Sequence, residues 1–243
     1  MIELRENVKI IEENENYLVV YKPSYLPTVP LKNDNKLTLL KIVGECYENI
    51  VSFSGYSSWE NGVLHRLDTN TSGLVLIARN KESFNYFLNL QKSGKFIKEY
   101  RAISDKNSDR IDAYGEYPYE DPLLSNKKVI IESSFRYFGK GRTMVLPVLE
   151  SYSKFLVKKS TGVLYDTSVS FCEEVEDKYV FKCTLTSGFK HQVRTHMAWC
   201  GHPLIGDESY GGIKSEKFGL EAIGLTFLNP KNEKEITIKF LEK

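Results

Sequence analysis

At 243 residues, with 41% hydrophobic and 27% charged side chains, the chain has the composition of a globular protein able to bury one large core or two small ones. A net charge of +1 lacks the broad basic footprint expected of a nucleic-acid binder, so such a role must rest on local patches. No apolar run reaches the length of a membrane span, residues 1–6 lack a signal-peptide plan, and the four cysteines form no CxxC pair, which together point to a reducing cytoplasm.

Residues 17–21 predict a strand stopped by Lys22-Pro23. Leu39, Ile42, Val43, Cys46 and Ile50 recur at helical spacing and predict a helix over 39–50. The apolar run 74–78 reads as a strand. Asn80 is placed to cap a helix bearing Phe84, Phe87, Leu88 and Gln91, and Gly94 to end it. Residues 96–103 predict a strand on which Lys98 and Tyr100 share a face. The stretch 104–126 is polar and turn-rich, with Tyr114, Tyr117 and Tyr119 interleaved; it is long for a structureless loop and so either functional or a sign of missed structure. Strands are expected over Val129–Phe138 and 179–186, a short helix from near His191, a strand around 222–227, and a closing alternation of Ile236, Ile238 and Phe240. No repeat or linker divides the chain, so one mixed α/β domain over 1–243 is expected.

The densest chemistry lies in His65-Arg66-Leu67-Asp68-Thr69-Asn70-Thr71-Ser72-Gly73. If the backbone is extended there, Arg66 and Asp68 face one way and Leu67 the other. A guanidinium beside a carboxylate offsets the rise in its pKa caused by desolvation, which suits a nucleophile and a structural ion pair equally. A second block runs from Thr186 through Ser187-Gly188-Phe189-Lys190-His191-Gln192-Val193-Arg194 to Gly201, Pro203, Gly206, Asp207 and Tyr210-Gly211. Arg194 there can grip a carboxylate or phosphate with two prongs, while Gly201, Pro203 and Gly206 read as turn makers. Residues 135–142 mix Arg136, Lys140 and Arg142 with aromatics on a glycine-hinged loop, a composition that holds unstacked RNA or forms a solvated turn. Two further basic runs are Lys92, Lys95, Lys98 and Arg101, and Lys154, Lys158 and Lys159. Cys183, His191, His196, Cys200 and His202 crowd together but match no common zinc spacing, and no phosphate-cradling or dinucleotide glycine motif is present, so no metal is expected.

The nine-residue string resembles the His-Arg-Leu-Asp-x-x-Thr-Ser-Gly signature of the RluA family of pseudouridine synthases. The second block is similar to that family's Thr-Gly-Arg-x-His-Gln-Ile-Arg-x-His, followed by Gly-x-Pro-Leu-x-Gly-Asp-x-x-Tyr-Gly, with Ser187-Gly188-Phe189 in place of Thr-Gly-Arg. Lys98-Glu99-Tyr100 resembles its Lys-x-Tyr, and Lys22-Pro23 its Lys-Pro loop, which reads as architectural, with Tyr25 replacing the usual glycine. The likeness covers residues 17–212 and leaves most of 104–179 unaligned. The S4-type RNA-binding module of many relatives finds no room before Lys22, and none is expected.

The resemblance implies an α+β fold with a mixed, largely antiparallel central sheet, flanking helices and loops, and an active cleft across the sheet. It implies an RNA isomerase acting on uridines of structured ribosomal or transfer RNA, with no cofactor, membrane or protein partner, working as a monomer. Asp68 would be the nucleophile, Arg194 its ion-pair partner, and Tyr100 the ring that stacks on the uracil and assists removal of its C5 proton. Arg66 would fill the gap left by the flipped base, and His65, Lys98, His191, Arg136, Lys140 and Arg142 are the remaining candidate substrate contacts. Two alternatives stay open: an inactive RNA-binding protein of the same fold, and a nucleoside hydrolase that uses Asp68 and releases free uracil.

Overall fold

A computed structural model describes residues 1–30, 36–108 and 111–240. The chain opens with β1 (Ile2–Glu3), β2 (Lys9–Glu13), β3 (Tyr17–Lys22), α1 (Leu39–Cys46), β4 (Ser72–Ala78) and α2 (Lys81–Lys92). It continues with β5 (Ile97–Asp105), β6 (Val129–Phe138), β7 (Met144–Val148), α3 (Lys154–Lys158), β8 (Tyr165–Val175) and β9 (Lys178–Leu185). α4 (Gln192–Trp199), β10 (Leu220–Leu228) and β11 (Glu235–Lys239) complete it. Two compact units result, Met1–Lys98 with Glu221–Lys243, and Glu99–Leu220. The architecture is α+β, its strand pairing mixed but mostly antiparallel.

In the first unit the strands run β1-β2-β3-β4-β10, with β11 on β10, and β4 and β10 form a parallel pair. All six residues of β3 and all seven of β4 are buried, so residues 17–21 and 74–78 read as continuous apolar runs rather than alternations. α2 starts as expected: the Asn80 side chain accepts from the Ser83 N–H at 2.8 Å. It ends at Gly94, which has φ +70° and lets Lys95 N–H reach the Leu90 carbonyl. Phe84, Phe87 and Leu90 pack into a core with Tyr17, Leu74, Leu76, Phe96 and Phe227. The expected helix over 39–50 stops at Cys46, and a 3₁₀ turn (Glu48–Val51) carries Ile50 into the core. The Ile50 carbonyl there accepts from Gly62 N–H, a pairing that draws the backbone away from the helix.

In the second unit the order is β5-β9-β8-β6-β7. β5 alternates as expected, with Lys98, Tyr100, Ala102 and Ser104 on its buried face. All eight residues of α4 are buried. Beyond the end of β5 at Asp105, the described part of 104–126 contains no helix or strand, yet its aromatics pack on α4. Tyr114 Oη lies 3.2 Å from Thr195 Oγ1, Trp199 Nε1 donates to the Gly115 carbonyl at 3.1 Å, and Tyr117 meets Trp199 edge-on at 5.3 Å. The interleaved tyrosines are therefore a cover for this helix. β2, β7 and β8 were not separately foreseen from the sequence.

Candidate active site

Asp68 stands on the segment that leads into β4, and its neighbours fix the backbone from both sides. Leu67 is buried, Arg66 exposed and Asp68 half-buried, the alternation an extended segment demands. Buried Thr28 bonds Leu67 twice, its Oγ1 donating to the carbonyl at 2.8 Å and accepting from the N–H at 3.1 Å. After Asp68 the chain turns, with Thr71 N–H bonding the Asp68 carbonyl. Gly73 then enters β4 at φ +119°, where an added Cβ would stand 2.3 Å from the Ala222 carbonyl oxygen. The glycine of the motif is thus required by backbone conformation and by the close approach of β10.

Lys22, on the loop that the sequence marks as architectural, is a structural tie beneath the candidate carboxylate. Its side chain is fully buried, and Nζ donates to the carbonyls of Leu26 (2.7 Å), Pro23 (2.9 Å) and Thr69 (3.1 Å). Burial pushes this ammonium down to about 7, and the Asp68 carboxylate partly restores it. Lys22 therefore ties the Lys-Pro loop to the turn after Asp68 and places a cation within the field of that carboxylate. A lysine closing a wholly buried strand was the available signal.

Arg66 is held by Glu60, with Nη1 2.7 Å from Oε1. His65 accepts from the Leu76 N–H through Nε2 at 3.2 Å, which places its proton on Nδ1, and its ring packs against Phe96. Burial first, then the charge of Lys98, drives His65 down to about 3, so it stays neutral. Lys98 is itself buried and pushed down to about 8. It accordingly drops out of the basic run Lys92, Lys95 and Arg101.

In the second unit, α4 begins at His191 in the left-handed region (φ +56°), and Nδ1 lies 2.9 Å from the Tyr210 hydroxyl. That same oxygen accepts from Val145 N–H. Arg194 grips Asp207 with two prongs, Nε to Oδ2 at 2.7 Å and Nη2 to Oδ1 at 2.8 Å, both residues buried. Its guanidinium also lies 5.0 Å from the Tyr210 ring centre and 5.4 Å from that of Phe218. The Gly-Asp-x-x-Tyr-Gly stretch therefore does more than turn: Asp207 and Tyr210 orient the two candidate residues of α4. Gln192 completes the frame, accepting from Phe189 N–H and donating to the Asp166 carbonyl and Thr167 Oγ1. Tyr100 is buried on β5.

The crowded cysteines and histidines are engaged one by one. His196 bridges Ser133 and Thr167 at 2.9 Å each, His202 meets Asp121 at 2.7 Å, Cys183 contacts the Met197 sulfur and Cys200 the Met197 carbonyl. Ser133 and His196 have the spacing of a nucleophile and base, but both are fully buried, so the pair is structural.

Residues 16–199 match the model of the family described as RNA pseudouridylate synthase. The chain belongs to that family. The RluA likeness of its signatures is borne out by relatives such as ribosomal large subunit pseudouridine synthase D of Blochmanniella floridana, 30% identical over 205 residues, which cover 84% of this chain and 54% of that protein. The tRNA pseudouridine(31) synthase of Saccharomyces cerevisiae is 28% identical over 208 residues, or 83% of this chain and 46% of that one. The chain spans about half the length of these curated relatives. Among solved structures, human RNA pseudouridylate synthase domain containing 1 superposes with a TM-score of 0.67 at 20% identity, covering 98% of this chain and 84% of that one, and so supports the pseudouridine synthase fold.

Proposed function

We propose that this family member isomerises uridines of structured ribosomal or transfer RNA to pseudouridine, acting as one catalytic domain and as a monomer in the cytoplasm. The observation that carries the reading is the Asp68 segment: a half-buried carboxylate on a backbone pinned by Thr28 and Lys22, inside the span matched to the family. In the reaction the N1–C1′ bond breaks, the uracil turns, and C5 bonds to C1′; C5 gives up its proton and N1 gains one. Every atom of substrate is retained, so no redox partner or group donor enters the balance. Asp68 is the nucleophile, since covalent catalysis divides one hard step into two. By the resemblance, Arg194 matches the family arginine that serves the nucleophile, while Tyr100 stacks on the base and assists the C5 proton. Arg66 fills the stack vacated by the flipped base, and its exposure supports that reach. His65, Lys98 and His191 shape the substrate contact. Four free cysteines, two of them exposed, suit a reducing compartment.

Tritium release from RNA labelled at uridine C5 tests this. Wild-type protein should release label from RNA of unchanged mass without freeing uracil, and Asp68→Asn should release none while binding RNA as before. Near-normal release by Asp68→Asn would remove Asp68 from the chemistry, and free uracil would mark a hydrolase.

A further inference from the structure

Around the tip of β6 an exposed ring, Tyr137, meets two cations, Arg142 of the hairpin and Lys190 from the segment before α4. Side chains alternate along a strand, so Ser133, Phe135 and Tyr137 share one face of β6, and Arg136 and Phe138 the other. α4 covers the inner part of the first face: His196 bonds Ser133 and its ring lies 5.1 Å from that of Phe135. Phe189 extends the cover, stacked parallel on Phe135 (5.1 Å, 2°) and tilted against Tyr165 at 5.3 Å and Tyr137 at 6.0 Å. There the cover stops, and Tyr137 is 41% exposed. Positive φ angles at Gly139, Gly141 and Arg142 fold the hairpin tip back, placing the Arg142 guanidinium 4.6 Å from the Tyr137 ring centre. Lys190 approaches the same ring at 6.0 Å. Arg142 and Lys190 make no ion pair among the described residues. Arg136 instead lies over Phe138 at 5.2 Å, apart from Arg142.

We propose that Tyr137, Phe189, Arg142 and Lys190 form a platform on which an unpaired segment of the RNA substrate stacks. The inference rests on the RNA reading above and specifies the form of RNA. Exposed aromatic rings bind bases whose faces are free, a duplex offers no such faces, and flanking cations hold the phosphates. Phe189, standing where the resembled family has an arginine, adds ring surface at this position, and Lys190 beside it supplies charge.

Fluorescence anisotropy of the full chain with a short unstructured oligoribonucleotide, and with the same strand annealed to its complement, tests the platform. The unpaired strand should bind more tightly. Tyr137→Ala should weaken that binding about 5- to 150-fold and spare the duplex, because stacking is lost. Arg142→Gln with Lys190→Gln should reduce the slope of log affinity against log salt by about 1.4, the share of two phosphate contacts on a single strand. Tyr137 is exposed, and an unchanged melting temperature would verify that its variant folds. A wild-type preference for duplex, or full single-strand affinity in Tyr137→Ala, would overturn the platform. Tritium release measured alongside separates the two readings: binding through the platform without release from any RNA overturns the isomerase alone, and release by Tyr137→Ala at wild-type KM overturns the platform alone.

Discussion

Around Asp68 the chain is held by its backbone, with Thr28 on Leu67 and Lys22 on Thr69. Around Arg194 and His191 it is held by the functional heads themselves, with Asp207 on the guanidinium and Tyr210 on the imidazole. The first arrangement aims a carboxylate by fixing the residues on either side of it. The second commits an arginine to a buried carboxylate and so stores a larger electrostatic debt in the fold. Removing a support should therefore do different damage in the two regions.

The largest effect on stability is expected at Asp207→Asn, which leaves the Arg194 charge buried beside a neutral amide. Breaking such a pair costs about 3–5 kcal/mol, visible as an earlier denaturant midpoint. A loss under about 1 kcal/mol would place the support of Arg194 elsewhere. Thr28→Val keeps the shape but abandons the N–H and carbonyl of Leu67, at a cost of about 2 kcal/mol. If the backbone clamp aims Asp68, turnover of this variant should fall further than its RNA affinity; parallel losses would make Thr28 purely structural.

The smallest effect comes from the buried histidines, one in each region. His65 and His196 are both pushed down to about 3 by burial, from an unfolded value of about 6.5. The unfolded chain thus binds more protons between these limits, and stability present above pH 6.5 is lost as pH falls toward 3. Each histidine should cost about 1 kcal/mol by pH 6, read from urea unfolding across pH, and His196→Gln should remove half of the dependence. An unaltered dependence in that variant would show that His196 is not its source.

Local pattern made much of the first region legible. The alternation through Leu67, the Asn80 cap, the Gly94 stop and the shared face of Lys98 and Tyr100 each depend on residues a few positions apart. The partners of the site residues were not legible. Arg66 pairs with Glu60 rather than with the carboxylate two residues along, Thr28 reaches Leu67 across 39 positions, and Asp207 and Tyr210 hold Arg194 and His191 from 13 and 19 positions away. Arg136, Lys140 and Arg142 form one patch by composition, but closeness along the chain does not reveal where α4 ends its cover of β6.

The sequence by itself determined the family, the mixed α+β character and the identity of the candidate carboxylate, arginine and tyrosine, because signatures and short-range periodicity are written in consecutive residues. Tertiary structure alone decided that Lys22 is a buried cation under the Asp68 turn, that Gly73 must lack a side chain beside Ala222, and that Lys190 rather than Arg136 joins Arg142 at Tyr137. Burial, charge pairing and backbone approach depend on segments brought together from distant positions, and no local window contains both partners.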